Sequence, residues 1–264
     1  MEEPGTLYVT GTAGAGKTRF VQSFQAWMKS AGYDAISVNL DPGNESEGFE
    51  PDVDIREWVR LRDVMDDYGL GPNGAQVAAS DLIALKIFEV KAAVTELKSD
   101  YVLVDTPGQV ELFAFRESSR AIVDALSGDR STIAFLFDPA LAKTASGLVS
   151  LLMLSATVEF RFRLPMLNLL TKADLLTPER LDEITEWGED PDQLLAAVEA
   201  EVPTPDVQLS SEMLRAIRSL SPMTSLIATS SEDKTGLETV YQAAQRNFGG
   251  SDDLEPSHAP PESD

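Results

Sequence analysis

The 264-residue chain contains no cysteine and a single histidine, His258. Without cysteine, disulfide bonds, thiolate metal sites and a cysteine nucleophile are excluded. His258 stands among proline, serine and acidic residues near the end of the chain, which excludes a Ser-His-Asp triad and a histidine-based zinc site. Any chemistry must therefore rest on carboxylates, hydroxyls, cationic side chains and the backbone.

Cationic side chains and long apolar runs are also scarce. The chain has 21 Lys and Arg against 44 Asp and Glu, a net charge of −23, which disfavours a broad nucleic-acid-binding face. No run approaches the roughly 18 apolar residues of a membrane span, and the acidic start MEEPGTLYVTG is unlike a signal peptide. We expect a cytoplasmic protein with no direct nucleic-acid or membrane binding. Its acidity suits either a salt-rich cytoplasm or an acidic protein in ordinary salt.

Short apolar segments alternate with helical patterns along the chain. We predict strands at 7–10, 35–40, 101–104, 133–137, 166–170 and 226–229, with helices between them. One predicted helix, 80–97, has its apolar face at Leu82, Leu85, Phe88 and Val94. This alternation indicates an α/β fold, a mostly parallel sheet with helices on both faces, which binds ligands at the carboxyl ends of its strands.

The segment 177–222 interrupts the alternation. Its acids and prolines predict a helical insertion on the surface of a single domain that spans 1–248. The last residues, 249–264, have the composition of a disordered acidic tail.

The first predicted strand leads directly into a phosphate-binding sequence. Gly11–Thr18, GTAGAGKT, matches the G-x-x-x-x-G-K-[ST] loop of P-loop NTPases, between a strand and a helix as that loop requires. Its glycines let backbone N–H groups surround a phosphate, Lys17 reaches the β- and γ-phosphates, and the Thr18 hydroxyl ligates Mg²⁺. The predicted phosphate contacts are Thr12, Ala13, Gly14, Ala15, Gly16, Lys17 and Thr18.

Acidic residues end two further predicted strands. Asp105 opens the sequence DTPGQ, where an Asp can hold Mg²⁺ and the Gly108 N–H can contact a γ-phosphate. Gln109 and Glu111 follow, where a group that orients the attacking water is needed. Asp41 ends the second strand and is a candidate for binding Mg²⁺ or its water, or for accepting a proton from the attacking water.

The fifth predicted strand is followed by Thr171-Lys172-Ala173-Asp174, which resembles the N-K-x-D base-reading motif of GTPases. A carboxylate at Asp174 accepts guanine N1–H and the 2-amino group together, whereas adenine offers no such pair of donors. The Lys172 stem can cover the purine face. Thr171 replaces the usual Asn, which puts the bond from this position to the phosphate loop in question. Thr229 and Ser230 are candidates for cradling the base.

Gly71-Pro72-Asn73 alone is typical of a turn. In the order phosphate loop, VNLDPG, PDVDIREWV, LGPNGA, DTPGQVE and TKAD, however, the chain closely resembles the GPN-loop GTPases over about residues 5–248. The resemblance implies a homodimer in which this loop enters the partner's site, so that Asn73 donates in trans to the departing phosphate. It also aligns Asp41, Gln109 and Glu111 with the family's magnesium- and water-handling positions. Eukaryotic members are implicated in RNA polymerase assembly, so an RNA-polymerase-related client is implied by resemblance alone.

Together these features predict a Mg²⁺-dependent homodimeric GTPase that converts GTP to GDP and phosphate and serves as a nucleotide-switched assembly or regulatory factor. Lys17, Mg²⁺ and Asn73 are expected to stabilise charge, with Arg56, Arg116 and Arg120 as further candidate cations. One alternative is a P-loop kinase that phosphorylates a small acceptor, although 177–222 offers only Arg180, Arg215 and Arg218 for its lid. The other is a nucleotide-switched scaffold in which hydrolysis is slow and incidental.

Overall fold

In the computed structural model, which describes residues 3–44, 50–220 and 225–249, seven strands form one parallel sheet. They lie in the order β3-β2-β4-β1-β5-β6-β7. The strands are β1 Gly5–Gly11, β2 Ala35–Asn39, β3 Val53–Asp54, β4 Tyr101–Asp105, β5 Ser131–Phe137, β6 Met166–Leu170 and β7 Leu226–Ala228. The two-residue β3 was not predicted from the sequence. The predicted tail, from residue 250 onward, lies outside the described residues.

Ten helices flank the sheet in the described ranges. They are α1 Lys17–Ser30, α2 Leu61–Tyr68, α3 Pro72–Leu97, α4 Val110–Ala114, α5 Glu117–Leu126, α6 Ala145–Phe162, α7 Pro178–Glu189, α8 Pro191–Ala200, α9 Pro205–Leu220 and α10 Leu237–Asn247. Helices α1 and α10 cover one face, while α3, α5 and α6 contribute to the larger cluster on the other. Because side chains alternate along a strand, Leu7 and Val9 of β1 enter the first cluster and Tyr8 enters the second. The predicted α/β fold with both faces covered is confirmed.

Strand register brings the ends of the central strands together at one edge of the sheet. Asp105 at the end of β4 lies beside Val9 of β1 and Asn39 of β2. On the other side of β1, Gly11 lies beside Leu136 of β5. Because β4 lies between β1 and β2, the segment that follows β2 is the immediate neighbour of the loop after β4. Loops that are far apart in the sequence therefore share one edge.

Helix α3 packs by only part of the predicted face, because Leu82 and Val94 pack against the larger core cluster and the other two predicted residues do not. Its buried side chains are Ala75, Ala79, Ser80, Ile83, Ile87 and Val90. Of the predicted face, Leu85 and Phe88 are 72% and 73% exposed. Apolar residues occur on several sides of this helix, so periodicity alone does not select the packed side. The small Ala75 and Ala79 are fully buried, and the helix packs against α2 and α5.

The helical insertion proves to be helices α7, α8 and α9. Their inward side chains include Ile184, Trp187, Leu194, Val198 and Leu214, all of which belong to the larger core cluster. Helices α8 and α9 pack on α6, and α7 packs on β7. The segment is helical as predicted, but it covers the core instead of lying on the surface alone.

Helix α6 is long and strongly apolar. Its 18 residues have a mean hydropathy of 1.3, long and apolar enough to cross a membrane by length and composition. Its side chains at Leu148, Val149, Leu152 and Val158 are buried against the neighbouring elements. Packing between the sheet and α8 and α9 accounts for this composition.

Candidate functional site

The phosphate-loop sequence forms a tight turn between β1 and α1. Gly11 has a φ of +149°, and a Cβ there would lie 2.7 Å from the carbonyl oxygen of Leu136, so a larger residue would push β1 away from β5. Gly16, just before α1, has a left-handed φ of 93°. The turn leaves Ala13 and Gly14 exposed beside the positive end of α1. The loop therefore has the shape and the backbone donors that a phosphate group requires.

Lys17 lies at the centre of the site. Its ammonium group donates to the carbonyl oxygens of Gly11 and Thr12, both at 3.0 Å, and of Gly108 at 2.7 Å. Burial lowers the pKa of Lys17, while the negative charges of Asp105, Asp41 and Glu111 act in the opposite direction. All three donors of the ammonium thus bind backbone at the edge where a phosphate chain is expected.

Thr18 and Asp105 provide oxygen ligands that suit Mg²⁺. The Thr18 hydroxyl donates to Asp105 Oδ2 at 2.6 Å, and the other oxygen, Oδ1, is buried without a hydrogen-bond partner. Burial raises the pKa of Asp105 to about 7, helped by the charge of Asp41 and opposed by Thr18 and Lys17. No cluster of three or more acidic or histidine ligands occurs among the described residues. One carboxylate, one hydroxyl and the oxygens of a nucleotide match the donor set of Mg²⁺ in nucleotide enzymes.

Asp41 connects the end of β2 to the segment after β4. Its Oδ1 accepts from the Gly43 N–H and its Oδ2 from the Gly108 N–H, both at 2.9 Å. Burial raises the pKa of Asp41, while these two N–H groups and the charges of Lys17 and Arg56 lower it. The backbone of Gly108 is therefore held on both sides of its Cα, by Asp41 at the nitrogen and by Lys17 at the carbonyl oxygen.

The predicted water-orienting residues, Gln109 and Glu111, are exposed at the beginning of α4. Glu111 is close enough to influence the charge of Lys17. Both side chains are therefore at the same edge of the sheet as Lys17, and their roles remain predictions.

Thr171 makes the bond to the phosphate loop that its departure from Asn had left in question. Its hydroxyl is 2.9 Å from the carbonyl oxygen of Ala15 and 3.2 Å from that of Phe137. A threonine hydroxyl thus replaces the asparagine amide as the donor that connects the base segment to the phosphate loop.

The base segment borders a cavity of about 400 Å³. Lys172 and Asp174 line it together with Gly16, Leu175 and Ser231. The Lys172 ammonium donates to the Gly14 carbonyl oxygen and to Asp138 Oδ2, both at 2.8 Å, so its stem runs along the cavity wall. The Lys172 stem and the Asp174 carboxylate on the rim of the cavity can accommodate a purine that has two adjacent hydrogen-bond donors.

Thr229 and Ser230 directly precede Ser231, which lines this cavity. Both are almost fully buried, and the Thr229 carbonyl oxygen accepts from the Ala173 N–H at 3.1 Å. The Ser230 hydroxyl accepts from the N–H groups of Glu232 and Asp233. They shape the loop that carries Ser231, and it is Ser231 that reaches the cavity.

The Gly71-Pro72-Asn73 segment forms the beginning of α3. Gly71 precedes the helix, and Pro72 is its first residue, which suits proline because the first N–H groups of a helix have no internal partner. All three residues are exposed, and no hydrogen bond joins Asn73 to the described residues of the nucleotide edge.

Comparison with known proteins now identifies the family. Residues 9–250 match the family model described as "conserved hypothetical ATP binding protein". A GPN-loop GTPase of Pyrococcus abyssi is 29% identical over 92% of this chain and 97% of its own length. The crystal structure of that protein, described as a GTPase in apo form, superimposes with a TM-score of 0.82 at 28% identity. The chain belongs to the GPN-loop GTPase family.

Other relatives are longer than this chain. GPN-loop GTPase 1 of Schizosaccharomyces pombe is 31% identical over 80% of this chain but only 56% of its own length. The GPN-loop GTPase 2 homolog of Dictyostelium discoideum is 32% identical over 64% of this chain and 54% of its own length. The chain thus spans about half the length of these two curated relatives.

Sequence reasoning missed several residues of this candidate site. Asp138, which binds Lys172, directly follows β5, as Asp105 ends β4, so an acid at a strand end was an available signal. Asn39 carried no such signal, and Ser231 directly follows Thr229 and Ser230, the residues predicted to cradle the base. The candidate cations are all paired: Arg56 with Asp54, Arg116 with Asp81 of α3, and Arg120 with Asp124 one turn further along α5.

Proposed function

We propose that this protein is a Mg²⁺-dependent homodimeric GTPase that hydrolyses GTP to GDP and phosphate and acts as a nucleotide-switched assembly or regulatory factor. The observation that carries the proposal is the common edge where Lys17, the Thr18–Asp105 pair and the Asp41–Gly108 contact meet the base cavity. Phosphate binding, metal binding and water handling all need groups within one nucleotide length.

The phosphate loop and Lys17 are the groups that bind the β- and γ-phosphates. Thr18 and Asp105 would hold Mg²⁺, which supplies charge neutralisation to the phosphate oxygens when bound. The unpartnered Oδ1 of Asp105 supports this assignment, because a buried carboxylate oxygen without a partner is costly. Lys17 then needs only to turn from the Gly108 carbonyl to a phosphate oxygen.

The backbone of Gly108 is the part of the site that responds to bound nucleotide. Its N–H is bound by Asp41 and its carbonyl by Lys17, and a γ-phosphate attracts both the N–H and the ammonium. Once these contacts exchange, the Asp41 carboxylate is released to accept a hydrogen bond from the attacking water, alongside Gln109 and Glu111. Hydrolysis reverses the exchange, so the segment after β4 differs between the GTP and GDP forms.

Guanine is the proposed base. Asp174 on the cavity rim accepts two adjacent donors, a pattern that guanine has and adenine lacks. The family model's description mentions ATP and the names of the relatives mention GTP. The carboxylate on the rim favours GTP.

A face of α3 supports the homodimer. Val77, Leu85 and Phe88 are exposed on this helix, which begins with the Gly71-Pro72-Asn73 segment. Pairing α3 with its copy would bury these side chains and carry Asn73 toward the partner's nucleotide. There its amide would donate to the phosphate that leaves, as a neutral group aimed at developing charge.

The kinase alternative has less support. Arg180 binds Glu183 and the Lys143 carbonyl, and Arg215 binds Glu199 and Glu212, so these cations are already paired on α7 and α9. The switched-scaffold alternative shares the same chemistry and differs only in rate. A partner that binds the GTP and GDP forms equally would contradict it.

The deciding experiment measures phosphate release from GTP and from ATP with Mg²⁺ for wild type and Asn73→Ala. We expect a preference for GTP, and slower release by the variant with GDP binding retained. Gln208→Ala, an exposed amide near the beginning of α9, is the matched control and should behave as wild type. Equal use of ATP would contradict the role of Asp174, and an unaffected Asn73→Ala would leave the segment with no role beyond the start of α3.

Mixed dimers then distinguish action in trans from action in cis. Lys17→Ala and Asn73→Ala are each expected to be slow. Mixing them should restore activity only if an intact Lys17 can use the partner's Asn73. Light scattering should show a dimer that Phe88→Glu dissociates and that Leu209→Glu, an exposed apolar site on α9, leaves intact.

A further inference from the structure

The end of β2 is held by a buried amide. Asn39 is fully buried, and its Oδ1 accepts from the Asp41 N–H at 2.9 Å. Its Nδ2 donates to the Asp41 carbonyl oxygen at 3.2 Å and to Asp54 Oδ1 at 3.0 Å. One amide group thus binds both backbone polar atoms of Asp41 and the end of the neighbouring strand.

Asp54 is in turn held by Arg56. Asp54 lies opposite Asn39 in the register of β2 and β3. Its carboxylate accepts from the Arg56 backbone N–H and from Nε, each at 2.9 Å. Burial raises the pKa of Asp54, but the hydrogen bonds from Arg56 and Asn39 outweigh it and hold the pKa below its ordinary value. The negative charge of Asp54 is therefore compensated by the positive charge of Arg56.

This chain of contacts ends at the reacting edge. With its backbone fixed by Asn39, Asp41 directs its two carboxylate oxygens to the N–H groups of Gly43 and Gly108. Neither Asn39 nor Asp54 hydrogen-bonds the phosphate loop or the base segment in the described part of the chain, so they have no direct route to nucleotide affinity. The connection of Asn39 to the site runs through Asp41. Asp54 has a second route through Arg56, which donates to the Asn44 carbonyl oxygen at 2.7 Å, while the Asn44 amide donates to the Thr18 hydroxyl at 3.4 Å.

We propose that Asn39, supported by Asp54 and Arg56, is a positioning residue that sets the orientation of the Asp41 carboxylate for hydrolysis. The inference rests on the proposed function of Asp41. A misplaced carboxylate slows the chemical step without weakening ground-state binding. Asn39→Ala should therefore lower kcat about 10- to 100-fold while the KM for GTP changes by less than about threefold.

A double-mutant cycle in single-turnover GTP hydrolysis tests this route, using the full-length protein and counting sites by bound GDP. If Asn39 acts through Asp41, Asn39→Ala causes little further loss in an Asp41→Ala background. The matched control is Asn168→Ala, which removes another buried strand amide, one that binds Ser155 within the core. It should lower the melting temperature and leave kcat per site unchanged.

A second, more conservative variant tests the proposal in case Asn39→Ala does not fold. Asp54→Asn keeps the shape of the side chain but weakens the attraction to Arg56, and it should lower kcat in the same direction by a smaller factor. The proposal for Asn39 would be overturned if Asn39→Ala lowered kcat by the same factor in the wild-type and Asp41→Ala backgrounds, or if a rise in KM accounted for the whole effect. Either result would leave the role of Asp41 intact. An Asp41→Ala protein as fast as wild type would overturn the role of Asp41 and this proposal with it.

Discussion

Replacement of Thr171 by valine tests the connection between the base segment and the phosphate loop. Valine keeps the branched shape but lacks the hydroxyl that lies 2.9 Å from the Ala15 carbonyl oxygen. Thr171 is 5% exposed, so water has little access to replace the lost donor. The variant therefore leaves a carbonyl of the phosphate loop short of a hydrogen bond and frees that loop to move.

The expected magnitude follows from one buried hydrogen bond. Its net contribution is about 1 kcal/mol, and an acceptor left unsatisfied raises the cost to about 1–3 kcal/mol. For a chain of this size, each kcal/mol lowers the melting temperature by about 2–4 °C. Part of the same free energy orders the phosphate loop for nucleotide binding. A loss of about 1.4 kcal/mol from the binding free energy corresponds to a tenfold weaker affinity for GDP.

Titration with a fluorescent GDP analogue and thermal unfolding measure the two effects together. Thr171→Ser keeps the hydroxyl and should retain most of the affinity. Thr157→Val is the matched control, because that hydroxyl also donates to a backbone carbonyl, on the exposed side of α6. Wild-type affinity and stability in Thr171→Val would refute the reasoning and leave the base segment independent of the phosphate loop.

Three further predictions address base choice, pH and salt. Asp174→Asn removes the acceptor pair for guanine and should raise the KM for GTP about 100-fold, since charge-assisted bonds contribute about 1.5–3 kcal/mol each. Xanthosine triphosphate, with a carbonyl in place of the 2-amino group, should become the better substrate, and an unchanged GTP preference would count against the assignment. Burial raises the pKa of Glu159, so its ionised form costs stability above the folded pKa. Glu159→Gln should therefore raise the melting temperature at pH 7, and the gain should vanish below about pH 4, where the carboxyl is neutral in both states. With a net charge of −23, the wild-type melting temperature should rise with KCl as self-repulsion is screened, and a flat response would contradict a salt-rich setting.

Several expectations from the sequence match the structure because they depend on contiguous residues. The phosphate loop lies between β1 and α1, Asp105 ends the buried strand β4, and Gly108 lies in the segment that follows it, as predicted. In each case the backbone conformation is set by nearby glycines, prolines and apolar residues. The catalytic and binding roles assigned to these residues remain predictions.

Other features of the fold could not be predicted from contiguous residues. The buried side of α3 depends on its packing against α2 and α5, and its apolar residues occur on more than one side. The helices between 177 and 222 carry prolines and acids that suggest surface, yet one face of each completes the core over α6 and β7. Strand β3 is only two residues long, and pairing with β2 defines it.

By itself, the sequence determined the chemical inventory and the order of its motifs: a chain without cysteine, with a phosphate loop, DTPGQ and TKAD at the ends of apolar strands. Local backbone preferences and the contiguity of each motif are sufficient for that. Only the tertiary structure decided which distant groups meet: Asn39 with Asp54, Lys172 with Asp138, and Thr171 with the Ala15 carbonyl. Those contacts depend on strand order and register, because a parallel sheet brings together loops that are separated by tens of residues along the chain.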